Sequence, residues 1–409
     1  MIERWLSPLV EESMEDTRVT FVMGARQVGK STLVQKVAEE NGWPVLTLDD
    51  QVTREAALTD PTGFIAGITR PVVIDEVQRA PEVLLAIKQT VDADTRPGQF
   101  LLTGSSNVRS NRRVKDALTG RMEILTLWPL GQAEIHKSGN VVDALFQANP
   151  PRIDNAPVGR DAFFGVVAAG GYPEAMNRQG RRRDRWFSSY IDTTLDRDLR
   201  DISDAQKLDE IPHLLRLLAA QSAGLLNYAT LADKLSLSEG TIRSYVQLLE
   251  TVFIIVRLPS WRAGIAAREQ HAPKVHLVDT GLLAHLLGAD EARIRTDDQI
   301  TGRILENFVI MEVIKQIASA DIDTKPYHYR AGREEVDMIL ESRAGAIVGI
   351  EVKAGASLGL NDWRPLAKLR DSTGSRFICG VVFYSGRQTL PLSDRIWAVP
   401  ISGLWTVSA

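Results

Sequence analysis

Apolar residues along the chain fall into two regimes. Between residues 18 and 135, short β-branched runs alternate with stretches of helical spacing: Arg18–Met23, Val45–Leu48, Pro71–Ile74, Gln99–Thr103 and Glu123–Leu127 are the runs. Near-continuous apolar runs separated by helical segments mark a parallel sheet covered on both faces, so this part reads as α/β. From His136 to Arg160 the chain turns rich in Gly, Asn and Pro, centred on Gln147-Ala-Asn-Pro-Pro-Arg152, which is linker composition. Helical spacing returns over 161–200 and over 208–260, where it ends in a strand; beyond about 300 a helix precedes strands Val336–Leu340 and Ala346–Val352 and a further α/β stretch. The pattern predicts four segments: a parallel-sheet core (1–135), a linker and helical lid (136–200), a helix-turn-helix-like module (201–275) and a second α/β domain (276–409).

Composition narrows the class. A chain of 409 residues exceeds one ordinary domain, and 44% hydrophobic with 24% charged residues is the balance of a globular protein. A net charge of −4 and a pI near 6.0 exclude a wholly basic nucleic-acid coat protein while leaving room for a local basic patch. The single cysteine, Cys379, excludes an internal disulfide framework and fits a reducing compartment. Met1–Glu12 carries Glu3, Glu11 and Glu12 and lacks the apolar centre of a secretory signal. No run of about 18 uncharged apolar residues is present, so no membrane span or membrane partner is expected, and the expected location is cytoplasmic.

Three strand ends carry chemistry. Gly24-Ala25-Arg26-Gln27-Val28-Gly29-Lys30-Ser31 fits G-x-x-x-x-G-K-[ST], follows the apolar run Val19–Met23 and opens the helical run Ser31–Glu39. Glycines let the backbone curl so that successive N–H groups and the helix N-terminus face phosphates. These residues, with Thr32, are the expected ATP cradle; Lys30 would neutralise the β- and γ-phosphates and the Ser31 hydroxyl would reach Mg²⁺. The second end is Val72-Val-Ile-Asp75-Glu76, placing Asp75 51 positions after Gly24. Polar residues that leave a buried parallel strand emerge at its carboxyl edge, where ligands bind. Asp75 is expected in the Mg²⁺ shell and Glu76 to orient and polarise the attacking water. The third end is Phe100-Leu-Leu-Thr103 followed by Gly104-Ser105-Ser106-Asn107. Downstream, Arg112, Arg113 and Arg121 are candidates for an arginine reaching a neighbouring subunit's γ-phosphate; Arg121 comes first because it closes a helical run before the strand Glu123–Leu127.

These strings, together with Ala117-Leu-Thr-Gly-Arg121, Gly170-Gly-Tyr-Pro-Glu174, Asp279-Thr-Gly-Leu282 and Leu305-Glu-Asn-Phe-Val309, resemble a large family of prokaryotic predicted AAA+ ATPases over nearly the whole chain. The resemblance implies that Ser105, Ser106 or Asn107 senses the γ-phosphate. It also implies that a neighbouring subunit completes the site, in a ring or smaller oligomer. Members of that family carry a C-terminal domain of unknown function that looks like the PD-(D/E)XK nuclease fold.

Leu225–Leu249 has helix-turn-helix grammar: a helix over Tyr228–Leu235, a turn over Ser236–Ser238, and a second helix over Glu239–Leu249 with Ser238 as N-cap. Val252–Leu258 would be a wing strand. The second helix offers Glu239, Thr241, Arg243, Ser244 and Gln247 to DNA, and such modules serve equally as packing contacts. Arg178–Arg185, with five arginines in eight residues, is the best candidate for phosphate contact; a solvated helical face is the other reading.

Four C-terminal residues stand out: Glu306 on an apolar helix, Asp337 in Val336-Asp-Met-Ile-Leu340, and Glu351 and Lys353 in Ile350-Glu-Val-Lys353. Residues i and i+2 of one strand share a face, so Glu351 and Lys353 point into one cleft, and Asp337 precedes Glu351 by 14 positions on the expected hairpin strand. Two close carboxylates form a hard-oxygen site for Mg²⁺. The arrangement is similar to PD-(D/E)XK nucleases, which implies Asp337 and Glu351 as metal ligands, Lys353 positioning the nucleophile and Glu306 completing the site. Val336 stands where that motif has proline. The reading that results is a Mg²⁺-dependent ATPase acting on single-stranded or branched DNA, as in repair or recombination, with a nuclease or nuclease-derived domain. The alternative is a STAND-like regulatory ATPase whose C-terminal domain is a non-catalytic scaffold.

Overall fold

The computed structural model describes residues 2–105, 119–156, 160–195, 208–262, 271–332 and 334–408. They divide into two compact units, Met1–Trp128 with Leu248–Phe253, and Pro129–Gln247 with Ile254–Ala409. The segments 136–200, 201–275 and 276–409 therefore fall together in the second unit, apart from Leu248–Phe253.

The first unit opens with helix α1 (Leu6–Asp16), strand β1 (Val19–Met23), α2 (Lys30–Asn41), β2 (Val45–Thr47), α3 (Gln51–Thr59) and α4 (Pro61–Ala66). It continues with β3 (Val72–Asp75), α5 (Val83–Ala93), β4 (Phe100–Gly104) and β5 (Met122–Thr126). Asp50 and Asp60 start α3 and α4 by accepting hydrogen bonds from the exposed first-turn N–H groups, those of Val52 and Thr53 and that of Gly63. All five strands are parallel in the order β2-β3-β4-β1-β5. Every residue of β1, β3 and β4 is buried, which is why these strands read as unbroken apolar runs. The register pairs Met23 with Gly104 and Ile74 with Leu102, so the carboxyl ends of β1, β4 and β3 meet at one edge.

The second unit begins with helices α6 (Gln132–His136), α7 (Val141–Phe146), α8 (Arg160–Ala169), α9 (Pro173–Met176), α10 (Arg181–Thr193), α11 (Ile211–Ala220) and α12 (Tyr228–Leu235). Helix α7 lies inside the expected linker. Asn140 caps it by accepting from Val142 N–H, and four of its six residues are buried. Helix α13 (Glu239–Thr251) follows the expected turn, with Ser238 Oγ accepting from Thr241 N–H at 3.1 Å. The expected wing strand is shorter than its apolar run, β6 being Ile255–Leu258, because Phe253 takes a left-handed φ of 58° where the helix stops. Strand β6 pairs antiparallel with β7 (Lys274–Leu277).

Helices α14 (Thr280–Leu286), α15 (Glu291–Thr296) and α16 (Asp298–Ile317) come next, then β8 (Thr324–Ala331), β9 (Glu334–Ser342), β10 (Ile347–Lys353), α17 (Arg364–Thr373), β11 (Phe377–Tyr384), β12 (Leu390–Ser393) and β13 (Ile396–Pro400). Strands β8–β13 form one sheet in the order β12-β13-β11-β10-β9-β8, with β8, β9 and β10 antiparallel and β10, β11 and β13 parallel. Leu366 and Leu369 of α17 pack with Ile339, Ile347, Phe377, Val382 and Ile396 on this sheet. Helix α16, about 30 Å long, buries twelve of its 20 residues, among them the polar Asn307, Glu312 and Gln316. A helix buried on nearly every side has no single apolar stripe. Its polar residues are satisfied by distant backbone: Glu312 accepts from Gln132 N–H at 2.6 Å, Gln316 accepts from Val141 N–H at 2.7 Å and donates to Leu404 O at 2.8 Å, and Asn307 exchanges bonds with Leu277.

Candidate nucleotide site and a lysine-bridged carboxylate cluster

At the edge where β1, β4 and β3 end, the loop 24–29 turns directly into α2. Gly24 is required by space, since a Cβ there would lie 2.2 Å from Leu127 O. Gly29 has φ 97°, a conformation that lets the loop enter the helix and that side chains disfavour. Gln27 also takes a positive φ. The first turn of α2 carries no acidic residue, leaving its N–H groups and dipole open to an anion. Gly24, Ala25, Val28 and Lys30 are buried, Arg26, Gly29 and Ser31 half-buried, and Gln27 and Thr32 exposed. Lys30 Nζ donates to the loop's own carbonyls, Gly24 O at 3.0 Å and Ala25 O at 2.8 Å. Its ammonium is thus held in the cradle by the loop's own backbone.

Ser31 Oγ donates to both oxygens of Asp75 at 3.0 Å, and Thr103 Oγ1 donates to Asp75 Oδ1. Burial pushes the Asp75 carboxyl above its ordinary range; the Thr103 bond opposes this, the charge of Glu76 adds to it, and the Ser31 bond opposes it again. A buried carboxylate served by hydroxyls is short of positive charge, so Asp75 and Ser31 fit a Mg²⁺ site as hard-oxygen donors. Glu76 leaves β3 in the left-handed region, φ 59° and ψ 45°, and its N–H donates to Thr103 Oγ1 at 3.0 Å. Ser105 Oγ donates to the two Glu76 oxygens at 2.9 and 3.0 Å, and Gln78 Nε2 donates to Oε2. Thr103 thus holds the left-handed backbone of Glu76 while Ser105 and Gln78 hold its carboxylate, the form that stored strain takes at a functional site.

Arg121 is placed away from this edge. Its guanidinium makes a two-pronged pair with Asp92, with Nη2 at 3.0 Å from Oδ2. Ser106, Asn107, Arg112 and Arg113 lie outside the described residues. Two residues that the motifs do not mark belong to the site. Thr103 bridges Asp75 and Glu76, and its signal is a hydroxyl at the end of an apolar strand. Arg4 donates to Val28 O at 2.8 Å and Trp128 O at 2.7 Å, fixing the back of the loop, and nothing local in the sequence announces it.

In the second unit, Glu306, Asp337, Glu351 and Lys353 do come together. Asp337 N–H donates to Glu351 Oε2 at 3.3 Å, Val352 N–H donates to Asp337 Oδ2 at 2.9 Å, and Lys353 Nζ donates to Glu351 Oε1 at 2.7 Å. A fifth member was not marked by the motif: Lys274, buried at the start of β7. Its Nζ lies 2.7 Å from Glu306 Oε1, 2.7 Å from Glu335 Oε1 and 3.3 Å from Asp337 Oδ1. Burial works against the Lys274 charge, yet Asp337, Glu306 and Glu335 outweigh it and raise its pKa. Burial and the Asp337 charge push Glu306 up to about 8 and push Glu351 up as well. The one sequence signal for Lys274 was a lysine opening the apolar run Val275-His-Leu-Val278.

Residues 16–136 match the family described as an AAA domain. Residues 160–293 and 301–404 match two families described as domains of unknown function, DUF8612 and DUF4143. The chain is 28% identical over 394 residues to the uncharacterized protein Rv2008c of Mycobacterium tuberculosis, covering 96% of this chain and 82% of the relative. An uncharacterized protein of Haemophilus influenzae is 20% identical over 404 residues, covering 92% of each. Among solved structures, the Walker-type ATPase of Pyrococcus abyssi aligns over 70% of this chain and 96% of its own with 16% identity and a TM-score of 0.44. Among the described residues no helix is long and apolar enough to cross a membrane. Residues 16–136 thus match an AAA domain, and they hold the parallel sheet whose edge gathers Lys30, Ser31, Asp75 and Glu76.

Proposed function

We propose that the protein is a Mg²⁺-dependent ATP hydrolase acting on single-stranded or branched DNA, with a nuclease-derived C-terminal domain. The observation that carries the ATPase is the joining of Lys30, Ser31, Asp75, Thr103 and Glu76 at one sheet edge. The α2 N-terminus and Lys30 bind the phosphates, which take over the lysine from the loop carbonyls. Ser31 and Asp75 hold Mg²⁺, which supplies charge neutralisation to the phosphates. Glu76, its carboxylate oriented by Ser105 and Gln78, positions the water and draws its proton.

The DNA reading rests on two surfaces. Helix α10 exposes Arg181, Arg182 and Arg185, while Arg183 is half-buried and Arg178 pairs with Glu174. Three exposed arginines within five positions form a phosphate-contacting face. On α13, Arg243 stacks over Tyr228 at 4.0 Å and pairs with Glu239 at 3.4 Å, and Ser244, whose Oγ donates to Gly240 O at 3.1 Å, and Gln247 are exposed on the same helix. ATP turnover should rise at least about fivefold with one of single-stranded, duplex or four-way DNA. Arg181→Ala/Arg182→Ala/Arg185→Ala should abolish that rise, leave basal turnover intact and flatten the salt dependence of DNA binding. Unstimulated turnover with every DNA form would favour the regulatory-scaffold reading, which the occupied carboxylate cluster supports.

Assembly is the remaining element. Arg121 serves a neighbour's γ-phosphate only after leaving Asp92, a solvent-exposed partner it gives up easily. Arg121→Ala should lower kcat by about a thousandfold if it acts in trans. Random mixing with Lys30→Ala subunits then restores about a quarter of the wild-type rate, because one site in four combines an intact loop with an intact arginine. Phosphate release from the mixture decides the matter, and no recovery would assign Arg121 to the surface.

A further inference from the structure

The carboxylates that the nuclease resemblance assigns to Mg²⁺ already have a cation. Lys274 is 2% exposed, and its ammonium sits where Glu306 of α16 meets Glu335 and Asp337, the same-face pair of β9. The neighbouring oxygens are engaged too: Asp337 Oδ2 by Val352 N–H, Glu351 Oε1 by Lys353 and Glu351 Oε2 by Asp337 N–H. A divalent ion of the hard class needs several unprotonated oxygens turned toward one point. With Lys274 on Glu306, Glu335 and Asp337 and Lys353 on Glu351, the carboxylate oxygens are turned to ammoniums and backbone N–H groups and not toward one open point, so these residues do not fit Mg²⁺ in this arrangement.

Lys274 is also firmly delivered. It belongs to β7, whose partner β6 leads into backbone bonds with β8: Trp261 N–H to His328 O at 2.6 Å and His328 N–H to Pro259 O at 2.9 Å. This strand arrangement fixes the backbone from which the Lys274 ammonium reaches the carboxylates.

We propose that Lys274 is the resident cation of the carboxylate cluster, standing in for the divalent metal of a nuclease and leaving a metal-independent domain that does not cut. The inference rests on the nuclease-derived reading of the C-terminal domain and is independent of the ATPase assignment.

The test is Mn²⁺ binding to the full-length chain, followed by electron paramagnetic resonance in a Lys30→Ala background that disables the P-loop. The parent should show no Asp337-dependent Mn²⁺ site. Lys274→Met should gain one, at least about tenfold tighter than any parent binding, and lose it on adding Asp337→Asn. Lys274→Arg, which keeps a cation in place, should gain none. Without metal, Lys274→Met should melt several degrees lower, and Mn²⁺ should restore the loss. Asp337-dependent Mn²⁺ binding by the parent, or DNA cleavage by wild type that Asp337→Asn removes, would overturn the inference while leaving the nuclease-derived reading standing. A folded Lys274→Met chain that binds no Mn²⁺ overturns it as well. Should Lys274→Met not fold, the parent and Lys274→Arg measurements decide.

Discussion

Glu76→Gln keeps ATP bound and turns it over at least about a hundredfold more slowly, whereas Lys30→Ala loses nucleotide binding altogether. The two outcomes differ because the residues act at different stages. Lys30 is buried in the loop with its ammonium directed at carbonyls, so it is already placed for phosphate oxygens, and alanine removes the cradle's fixed positive charge. The hydrogen-bond partners of Glu76 are Thr103, Ser105 and Gln78, none of them in the loop 24–31. Glutamine keeps the shape and gives up the base. Fluorescent-nucleotide titration and phosphate release separate the cases, and wild-type hydrolysis by both variants would refute the assignment of these motifs.

Asp279→Ala unfolds the second unit more easily by about 3–5 kcal/mol. Asp279 is 1% exposed and accepts Gly171 N–H at 2.6 Å and Leu282 N–H at 2.9 Å, the second being the first-turn cap of α14. Alanine leaves both donors buried without an acceptor. The same contact dictates Gly170, where a Cβ would lie 2.2 Å from Asp279 Oδ1 and φ is 69°. Asp279→Asn, which retains one acceptor oxygen, should cost less than half as much. Urea unfolding followed by tryptophan fluorescence measures the difference, and a loss below about 1 kcal/mol would contradict the cap-and-clamp role.

The Asp279 contact shows what was readable in the sequence and what was not. Asp279-Thr-Gly and Gly170-Gly-Tyr-Pro stand out as strings, but only folding shows that one exists for the other across 108 positions. The five strands of the parallel sheet were legible to within about a residue, most sharply β1, β3 and β4, where burial on both faces forces unbroken apolar runs with polar ends. Asp75 and Glu76 were legible for the same reason, since each stands where such a run stops, whereas Lys30 was legible from the glycine-spaced loop before it. Helix α7 was hidden, since six residues between loop-forming neighbours carry too little periodicity to register. Lys274 was hidden by kind. A buried lysine is readable only through its partners, and these come from a helix and a strand 32 to 63 positions away. Arg4 escapes for a related reason, because it serves backbone carbonyls, which leave no mark in a sequence.

Helix α16 fixes when the second unit can be finished during synthesis. All five strands of the parallel sheet have been made by residue 126, so their pairing can proceed while the rest of the chain is still being translated. The second unit has no such early stopping point. Glu312 serves the backbone of Gln132, 180 positions earlier, and Gln316 serves both Val141 and the carbonyl of Leu404 near the chain's end. Until Leu404 has left the ribosome, α16, with twelve of its 20 residues destined for burial, lacks the acceptor of the Gln316 amide. Long-range closure of this kind is slow and exposes apolar surface, so nascent chains halted before residue 404 should be held by chaperones and cut by proteases inside residues 129–317, while the parallel-sheet segment resists.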